Sequence, residues 1–294
     1  MAQLAAVGAY HVPASLNECL DLLAGSGDTA VILAGGQAIL PLLRNRSLRP
    51  DVLVDLSGIA ELHRREAGAG GSLVLGAMCR HRDIYEDRKI SAGWSALADA
   101  AAGVGDLQVQ NRGTIGGNLV FGTVLTDMKQ VVMCLDARLR IVGGPEPREV
   151  SAREIFGDAG RSLLEPGELL ESIAFPALAE GSGSAYRKFG ITTNGRPVIG
   201  VAAALTFDAD RVCTAATIVV GGLVPAPHDA RIAAQVLIGQ HVDEDVIVRA
   251  AQAAAADIKP QSDARASAAY RRQLVRAIGQ EVLLQAWKRA TEAR

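Results

Sequence analysis

The sequence is poor in cysteine and contains no cysteine cluster. Its four cysteines, Cys19, Cys79, Cys134 and Cys213, lie far apart in 294 residues, and no C-x-x-C occurs. We therefore expect neither a zinc knuckle nor an iron–sulfur cluster held by this chain alone. Scattered thiols in apolar surroundings are typical of small buried residues, and they predict a reducing, cytoplasmic compartment.

The sequence also lacks an excess of either charge and any long apolar run. The formal net charge is -2, the pI is near 6.2, and there is no basic block. The electrostatic footprint of a nucleic-acid-binding protein is therefore missing. No uninterrupted apolar stretch reaches the roughly 20 residues that span a bilayer, and the N-terminal stretch has no positively charged segment. We expect neither a membrane span nor a secretory signal peptide.

Two widespread motifs are missing as well, and a third occurs in the wrong structural context. Neither G-x-x-x-x-G-K-[ST] nor G-x-S-x-G occurs, so a phosphate loop of that type and a nucleophile elbow are not supported. The stretch GSGDTA at 25–30 matches G-x-G-x-x-A. It follows a predicted helix and precedes a predicted strand, which is the reverse of the order that the nicotinamide-dinucleotide fingerprint requires.

The histidines form no ligand pattern. His11, His63, His81, His228 and His241 do not occur at metal-ligand spacing. We therefore expect no metal site in this chain. We predict that His63 and His81 are surface or helix-terminal residues.

Apolar periodicity predicts eight helices, the first of which carries sequence signals at both ends. Ser15 and Glu18 form an S-x-x-E capping box, and Gly25 is a suitable stop. In the second helix, Pro41 is tolerable only near the first turn. The predicted helices cover 15–25, 37–46, 81–88, 95–104, 127–137, 229–238, 243–256 and about 263–289.

β-Branched and apolar runs between turn residues predict eight strands. These cover 30–34, 51–56, 72–78, 138–143, 167–176, 184–190, 197–208 and 211–224. Strand, crossover and strand over the first sixty residues indicate a small α/β unit, and the last three strands indicate an antiparallel sheet. We predict that 105–127 is irregular and that 178–184 is a linker.

The first strand-to-helix turn contains two adjacent glycines, in VILAGGQAIL at 31–40. Backbone N–H groups at the start of a helix are unpaired and carry partial positive charge. Gly35 and Gly36 would let an anion approach the main chain without a Cβ in the way. A tight turn that needs positive φ is the alternative explanation, although it accounts for one glycine better than for two.

A second glycine-rich segment, NRGTIGGNLVFGTVLTD at 111–127, would be entropically costly to order without a ligand. Main-chain amides near Gly116 and Gly117 could form a second anion nest, with Thr114 and Asn118 as polar partners. Two nests far apart in sequence suit a ligand with a pyrophosphate bridge, because each loop neutralises one side of the diphosphate.

At these two loops the sequence resembles a known family, the FAD-binding medium subunit of molybdenum-containing hydroxylases. VILAGGQAILPLLRNRSLRPDVLVDLSGIAEL resembles its A-G-G-x-x-L pyrophosphate loop. GDLQVQNRGTIGGNLVFGTVLTDMKQVVMCLDARLRIV resembles its Q-x-R-N-x-G-T-x-G-G-N loop, with an acid nine positions after the asparagine. GSAYRKFG and VIGVAAALTF resemble the start of its C-terminal domain. The group includes xanthine dehydrogenase, aerobic carbon monoxide dehydrogenase and N-heterocycle dehydrogenases, and the resemblance covers nearly the whole chain.

The resemblance implies a set of cofactor-binding residues and no catalytic or metal-binding residue in this chain. One loop would wrap the FAD pyrophosphate, the other would oppose it, and Asp127 would accept hydrogen bonds from sugar hydroxyls. Val104 and Leu170 would line the flavin or adenine surface, and Lys188 would reach the isoalloxazine edge. The two loops comprise Leu33, Ala34, Gly35, Gly36, Gln37, Ala38 and Ile39, and Thr114, Ile115, Gly116, Gly117 and Asn118.

Four polar residues have alternative interpretations. Lys188 could be a solvated lysine on a strand edge, and Asp127 could be a helix N-terminal acid that the macrodipole favours. Arg112 and Asp106 could brace the second loop by forming an ion pair.

The sequence departs from the family pattern in three places. After YRKF the family often has a basic pair, an acid and an aromatic that shields a flavin face, whereas this chain reads GITTNGRPVIG at 190–200. The usual proline between the second loop and Asp127 is absent. The cysteine cluster that holds an extra iron–sulfur centre in one subgroup is also absent.

The resemblance implies an electron-transfer flavoprotein. A large molybdenum subunit would oxidise the substrate, and electrons would cross two [2Fe–2S] clusters on a small subunit to FAD in this chain. An external acceptor (NAD, oxygen, quinone or a carrier protein) would then take them, and the assembly would be a dimer of heterotrimers. The molybdenum cofactor and the clusters would lie on the partner chains.

Two alternatives remain open at this point. The chain could be a self-contained FAD-dependent reductase or oxidase with its own substrate pocket, or a small-molecule-binding protein without flavin. The expected fold is α+β, with a two-lobed FAD-binding domain (PCMH/vanillyl-alcohol-oxidase-like) and a C-terminal domain with an antiparallel sheet and helices. The predicted boundaries are 1–177 for the first domain, with lobes at about 1–57 and 58–177, and 184–294 for the second.

Overall fold

The computed structural model describes residues 7–121, 126–156, 164–192, 195–224 and 226–292. These residues form three β-sheets with helices packed against them, so the α+β prediction is confirmed. None of the helices within these ranges is long and apolar enough to cross a membrane.

The first sheet forms the predicted α/β unit. Its elements in chain order are β1 (Ala9–His11), α1 (Leu16–Ser26), β2 (Ala30–Leu33), α2 (Ile39–Arg44) and β3 (Val52–Asp55). The strands are parallel in the order β1-β3-β2. Parallel strands end at the same edge of a sheet, so the glycine turn that follows β2 lies beside the residues that follow β3.

The ends of α1 differ from the prediction in detail. Ser15 Oγ accepts from the Glu18 N–H as expected, but the Glu18 carboxylate accepts from the Ala14 N–H and not from that of Ser15. Gly25 is not the stop, because the helix continues to Ser26. Gly27, with φ 55°, caps it, and positive φ is the conformation that glycine adopts at least cost.

The second sheet is antiparallel and has the strand order β4-β5-β8-β6-β7. Six of the helices around it precede β6 in the chain, and they place the second glycine-rich loop next to the carboxyl end of β5. The elements are β4 (Arg65–Ala67), β5 (Leu73–Gly76), α3 (His81–Tyr85), α4 (Arg88–Gly93), α5 (Ser95–Gly103), α6 (Leu107–Gln110), α7 (Ile115–Val120), α8 (Met128–Cys134), β6 (Arg138–Val142), β7 (Arg148–Ser151), α9 (Ala152–Phe156) and β8 (Leu169–Phe175).

The prediction that 105–127 is irregular is wrong, because α6 and α7 lie within it. Each is a short helix that a polar side chain caps. Asp106 accepts from the Val109 N–H at 2.9 Å, and Thr114 accepts from the Gly117 N–H at 3.2 Å. Helices of four and six residues are too short to show apolar periodicity.

The third sheet is antiparallel, as predicted, and its strand order is β12-β11-β10-β9. Three helices pack against one face and share a single apolar core with it. The predicted linker is shorter than expected, because β9 begins at Ser182. The elements are β9 (Ser182–Phe189), β10 (Ile199–Phe207), β11 (Cys213–Gly221), β12 (His228–Asp229), α10 (Arg231–Leu237), α11 (Glu244–Asp257) and α12 (Ala268–Glu292).

Helix α8 joins the second and third sheets. All seven of its residues are buried, and the apolar core around it includes Tyr186, Ala202 and Val219 of the third sheet. Its Gln130 side chain fills the space that a Cβ on Gly221 would need. The C-terminal region therefore packs directly on the helix whose N-terminus carries Asp127. The predicted domain boundaries stay a prediction.

Candidate functional site

A cavity of about 430 Å³ lies between the first two sheets and the connection from β9 to β10. Its wall is formed by the β2–α2 turn, the start of α3, the α6–α7 region, Asp127, Leu170 of β8, and Gly195 with Arg196. Ligand pockets commonly have this size, and this wall combines an apolar surface with a few polar groups.

The structure brings together most of the residues predicted for the cofactor. Those that line the cavity are Ala34, Gly35, Gly36, Gln37, Ala38, Ile39, Val104, Thr114, Gly116, Gly117, Asn118, Asp127 and Leu170. Leu33 and Ile115 do not line it. They lie in the apolar cores behind the two loops, where they support the wall. Lys188 contacts the wall through Asp127 and Gly195.

The two glycine-rich loops contact each other directly. A Cβ on Gly35 would overlap the carbonyl oxygen of Arg112 and lie 2.8 Å from the Gly113 Cα. Gly36 has φ 77°, so its alternative explanation as a turn residue holds. The fold itself therefore explains both glycines: Gly35 allows the contact between the loops, and Gly36 adopts a positive φ. The contact itself places both loops on one side of a single cavity.

The amides of the second loop do not form the open nest that the sequence suggested. The Ile115 N–H donates to Cys79 O at 2.9 Å, and the Gly116 N–H donates to Ala77 O at 2.9 Å. The Gly117 N–H donates to Thr114 Oγ1. These amides dock α7 onto the end of β5, so they are occupied before any ligand binds.

The first loop has the open amides. Within the described part of the chain, no acceptor lies on the backbone N–H groups of Gly36, Gln37 and Ala38. They precede α2, whose first internal bond is Leu40 N–H to Gly36 O at 3.0 Å. Unpaired amides at the start of a helix attract anionic oxygens. The anion-binding capacity of the cavity is therefore concentrated at residues 36–38.

Asp127 and Lys188 form a buried ion pair, with side chains 6% and 9% exposed and a separation of 3.0 Å. Asp127 Oδ1 also accepts from the Tyr186 hydroxyl at 2.8 Å, and this hydroxyl accepts from Gln130 Nε2 at 3.0 Å. Burial raises the pKa of Asp127, and Lys188 and Tyr186 oppose that shift. Lys188 is thus not a solvated lysine, although β9 is an edge strand.

Asp127 does occupy the N-cap position of α8, but its side chain makes no capping hydrogen bond. The carboxylate points instead toward Tyr186 and Lys188 of β9. The alternative interpretation, a helix N-terminal acid, is therefore right about the position of Asp127. The ion pair suggested between Asp106 and Arg112 is also absent from the described contacts, since Asp106 caps α6.

Successive carbonyls in the atypical segment are held by cationic side chains. Gly195 O accepts from Lys188 Nζ at 3.0 Å, and Arg196 O accepts from an Arg265 nitrogen at 2.7 Å. Val198 O accepts from Arg271 at 2.6 Å. Residues 195–198 of this segment, which contains no aromatic, are therefore fixed, and Gly195 and Arg196 line the cavity.

His81 is a wall residue that the sequence prediction missed. It begins α3, as a helix-terminal residue should, but it is only 1% exposed and lines the cavity. Burial, assisted by the charge of Lys188, lowers the pKa of its imidazole to about 4. Ala77 and Met78, at the carboxyl end of β5, were also missed. Their position at the end of the predicted strand 72–78 was the only available signal.

Comparison with known proteins first identifies the class of protein to which the chain belongs. Residues 4–178 match the family model of the FAD binding domain in molybdopterin dehydrogenase, and residues 184–286 match that of the CO dehydrogenase flavoprotein C-terminal domain. The chain is thus an oxidoreductase flavoprotein subunit with an FAD-binding domain. More particularly, it belongs to the family of FAD-binding medium subunits of molybdenum hydroxylases.

Proteins of similar sequence or structure match this chain over nearly its full length. The 6-hydroxypseudooxynicotine dehydrogenase complex subunit alpha of Paenarthrobacter nicotinovorans is 32% identical over 96% of this chain and 95% of its own. The carbon monoxide dehydrogenase medium chain of Afipia carboxidovorans is 32% identical over 89% and 90%. The solved carbon monoxide dehydrogenase of Hydrogenophaga pseudoflava superposes with a TM-score of 0.90 at 30% identity, covering 98% of this chain and 99% of that one.

Proposed function

We propose that this chain is the electron-transfer subunit of a heteromeric molybdenum hydroxylase. It would pass electrons from [2Fe–2S] clusters on a small subunit, through FAD, to an external acceptor. A large subunit would carry the molybdenum cofactor, and the complex would be a cytoplasmic dimer of heterotrimers. Support comes from the relatives, whose names describe a medium chain or a subunit of a dehydrogenase complex.

The observation that carries the proposal is the contact between the two glycine-rich loops at the cavity. Gly35 packs on the backbone of residues 112 and 113, so one ligand can touch both loops at once. The open amides of residues 36–38 give one loop its affinity for a diphosphate. The other loop supplies Thr114 and Asn118 at the wall. This asymmetric cradle fits the pyrophosphate of FAD.

The remaining predicted residues have matching roles in this proposal. Leu33, Ala34, Ala38 and Ile39 shape the first loop, and Ile115, Gly116 and Gly117 fix the second. Val104 and Leu170 provide apolar wall for the rings. Asp127 has two carboxylate oxygens, each with further acceptor capacity after bonding Tyr186 and Lys188, so it can also accept from a sugar hydroxyl.

Bound FAD supplies the redox chemistry, and the residues of this chain control its surroundings. The Lys188 ammonium lies against the Asp127 carboxylate, so the pair has no net charge. Its cation is nevertheless fixed, because Gly195 O and Asp127 hold Nζ from two sides. Arg196 adds an exposed positive group at the wall. These groups orient the cofactor and favour negative charge on it.

The test begins with the purified full-length chain. We expect a yellow protein that binds one FAD and is reduced by its partner subunits but oxidises no substrate alone. Co-expression with the two predicted partners should yield a complex that contains molybdenum and iron. A colourless chain that does not take up FAD would contradict the proposal, and substrate turnover by the isolated chain would favour the self-contained enzyme.

A further inference from the structure

The wall of the cavity contains a polar group that the fold does not use. His81 is 1% exposed, yet its Nδ1 has no hydrogen-bond partner, and no described residue bonds its Nε2. Buried polar groups are nearly always hydrogen-bonded, because an unpaired one loses its bonds to water without replacement. An apolar side chain would suit this position better if packing were its only role.

The backbone of His81 belongs to the cofactor cradle. Its N–H donates to Gly113 O at 3.1 Å, and the neighbouring Arg80 forms a β-bridge with Thr114. The imidazole ring lies against Gly113, where a Cβ would be 3.1 Å from His81 Cδ2. The ring is therefore held in place by the second loop.

The location of His81 within the cavity indicates which part of a dinucleotide it meets. The charge of Lys188 contributes to lowering the pKa of the imidazole, so the two side chains are close enough to interact electrostatically. The Lys188 stem lies near Gly103, beside Val104. The open amides that suit the pyrophosphate belong to the first loop, at residues 36–38, whereas the His81 ring packs on Gly113 of the second loop.

We infer that His81 binds FAD directly, with a ring nitrogen hydrogen-bonded to the polar edge of the isoalloxazine, an inference that rests on the proposed function. The imidazole stays neutral at physiological pH, so it offers one donor and one acceptor. The isoalloxazine edge carries both ring nitrogens and carbonyl oxygens, so either role can be filled. His81 then helps Lys188 to select and orient the flavin ring.

The test compares two ligands on the apo form of the full chain. FAD contains the isoalloxazine, whereas ADP retains only the adenosine and diphosphate parts. In His81→Leu, which is similar in volume but cannot hydrogen-bond, we expect FAD to bind about tenfold more weakly, as for one lost hydrogen bond. ADP should bind as to the wild type. His81→Gln, which keeps a donor and an acceptor, should recover most of the FAD affinity.

His63 provides the matched control. It ends a short helix and has a buried, unpartnered Nε2, but it does not line the cavity. His63→Leu should leave the affinities for FAD and ADP unchanged. Unchanged FAD affinity in His81→Leu would overturn the inference, and so would an equal loss for both ligands, which indicates a structural role. A wild-type chain that binds no FAD would instead refute the proposed function.

A second variant covers the case in which His81→Leu does not fold. His81→Ala leaves space for the ring, and added imidazole can occupy it. We expect imidazole to strengthen FAD binding to His81→Ala and to leave ADP binding unchanged. Equal FAD affinity with and without imidazole, together with wild-type FAD affinity, would overturn the inference.

Discussion

The Lys188–Asp127 pair shows how strongly the contribution of one ion pair to stability depends on its burial. Both side chains are less than a tenth exposed, and they come from positions 61 apart in the sequence. A pair of this kind is weak evidence for stability as a whole, because removing two charges from water is costly. Breaking it from one side is different, because the remaining charge stays buried without its partner.

We therefore expect Asp127→Asn to destabilise the apo protein by roughly 3–5 kcal/mol, the usual cost of orphaning a buried charge. Urea unfolding measures this loss. Adding Lys188→Met should restore part of it, since the unpaired ammonium is then gone. The exposed pair Arg187–Glu281 is the control: Glu281→Gln should cost at most about 1 kcal/mol. Equal costs for Asp127→Asn and Glu281→Gln would refute the argument.

His81 makes the stability of the apo protein depend on pH. Its pKa is about 4 in the folded chain against 6.5 for the unperturbed residue. Between these two pKa values the unfolded chain binds a proton at His81 that the folded chain does not bind. The free energy of unfolding therefore rises with pH, and the contribution of His81 is fully present above about pH 6.5. It falls as the pH drops through this window, by about 3 kcal/mol in all.

The measurement is the free energy of unfolding of the apo wild type and of His81→Leu between pH 4.5 and pH 7.5. We expect the difference between the two to change with pH only below about 6.5, in the sense that acid destabilises the wild type more. A difference that stays constant across the range would show that His81 is not protonated on unfolding.

At the scale of elements, the two glycine-rich turns were recognised from the sequence, but the physical explanation for their glycines was only partly right. VILAGGQAIL does form a strand, a turn and a helix, because its apolar residues and glycines are contiguous. The short helices α6 and α7 were missed, since four and six residues are too few to show apolar periodicity. The sequence also could not reveal that Gly116 donates its amide to Ala77, a residue on another element.

The contact between the loops can be tested with one methyl group. Gly35→Ala should separate the two loops, because its Cβ would overlap Arg112 O. We expect a loss of about 1–3 kcal/mol of stability, typical of overpacking, and FAD binding weakened more than tenfold. Thermal unfolding and FAD titration measure these effects.

Gly25→Ala is the matched control for that substitution. Gly25 lies inside α1, with no atom within 4 Å of a Cβ. Alanine is the better helix former, so this change should stabilise the protein by up to about 1 kcal/mol and leave FAD affinity unchanged. Wild-type FAD affinity in Gly35→Ala would show that the loops do not need to touch.

At the scale of the whole molecule, the C-terminal region completes the cavity and covers α8. It contributes Gly195 and Arg196 to the wall and Lys188 to the ion pair. Arg289 of α12 also pairs with Asp99 of α5 at 2.6 Å. Although separate family models match the two regions, the apolar core around α8 is shared between them.

A chain that ends after residue 180 should therefore lose both solubility and FAD. The truncation uncovers α8 and removes Lys188, Gly195 and Arg196, and exposed apolar patches of this kind cause aggregation. Solubility and the flavin absorbance of the purified fragment test this, and co-expression of 181–294 as a separate chain should restore both. A soluble truncated chain that retains FAD would show that the first region is self-sufficient.

By itself, the sequence determined the α+β class, most of the strands and helices, the two glycine-rich loops and the family. These follow from residues that are neighbours in the chain, because periodicity, caps and glycine turns act over a few positions. Only the tertiary structure decided which amides stay open, that Asp127 meets Lys188, and that His81 faces the cavity. Each of these depends on which groups meet across distant segments, and burial then determines whether a polar group has a partner.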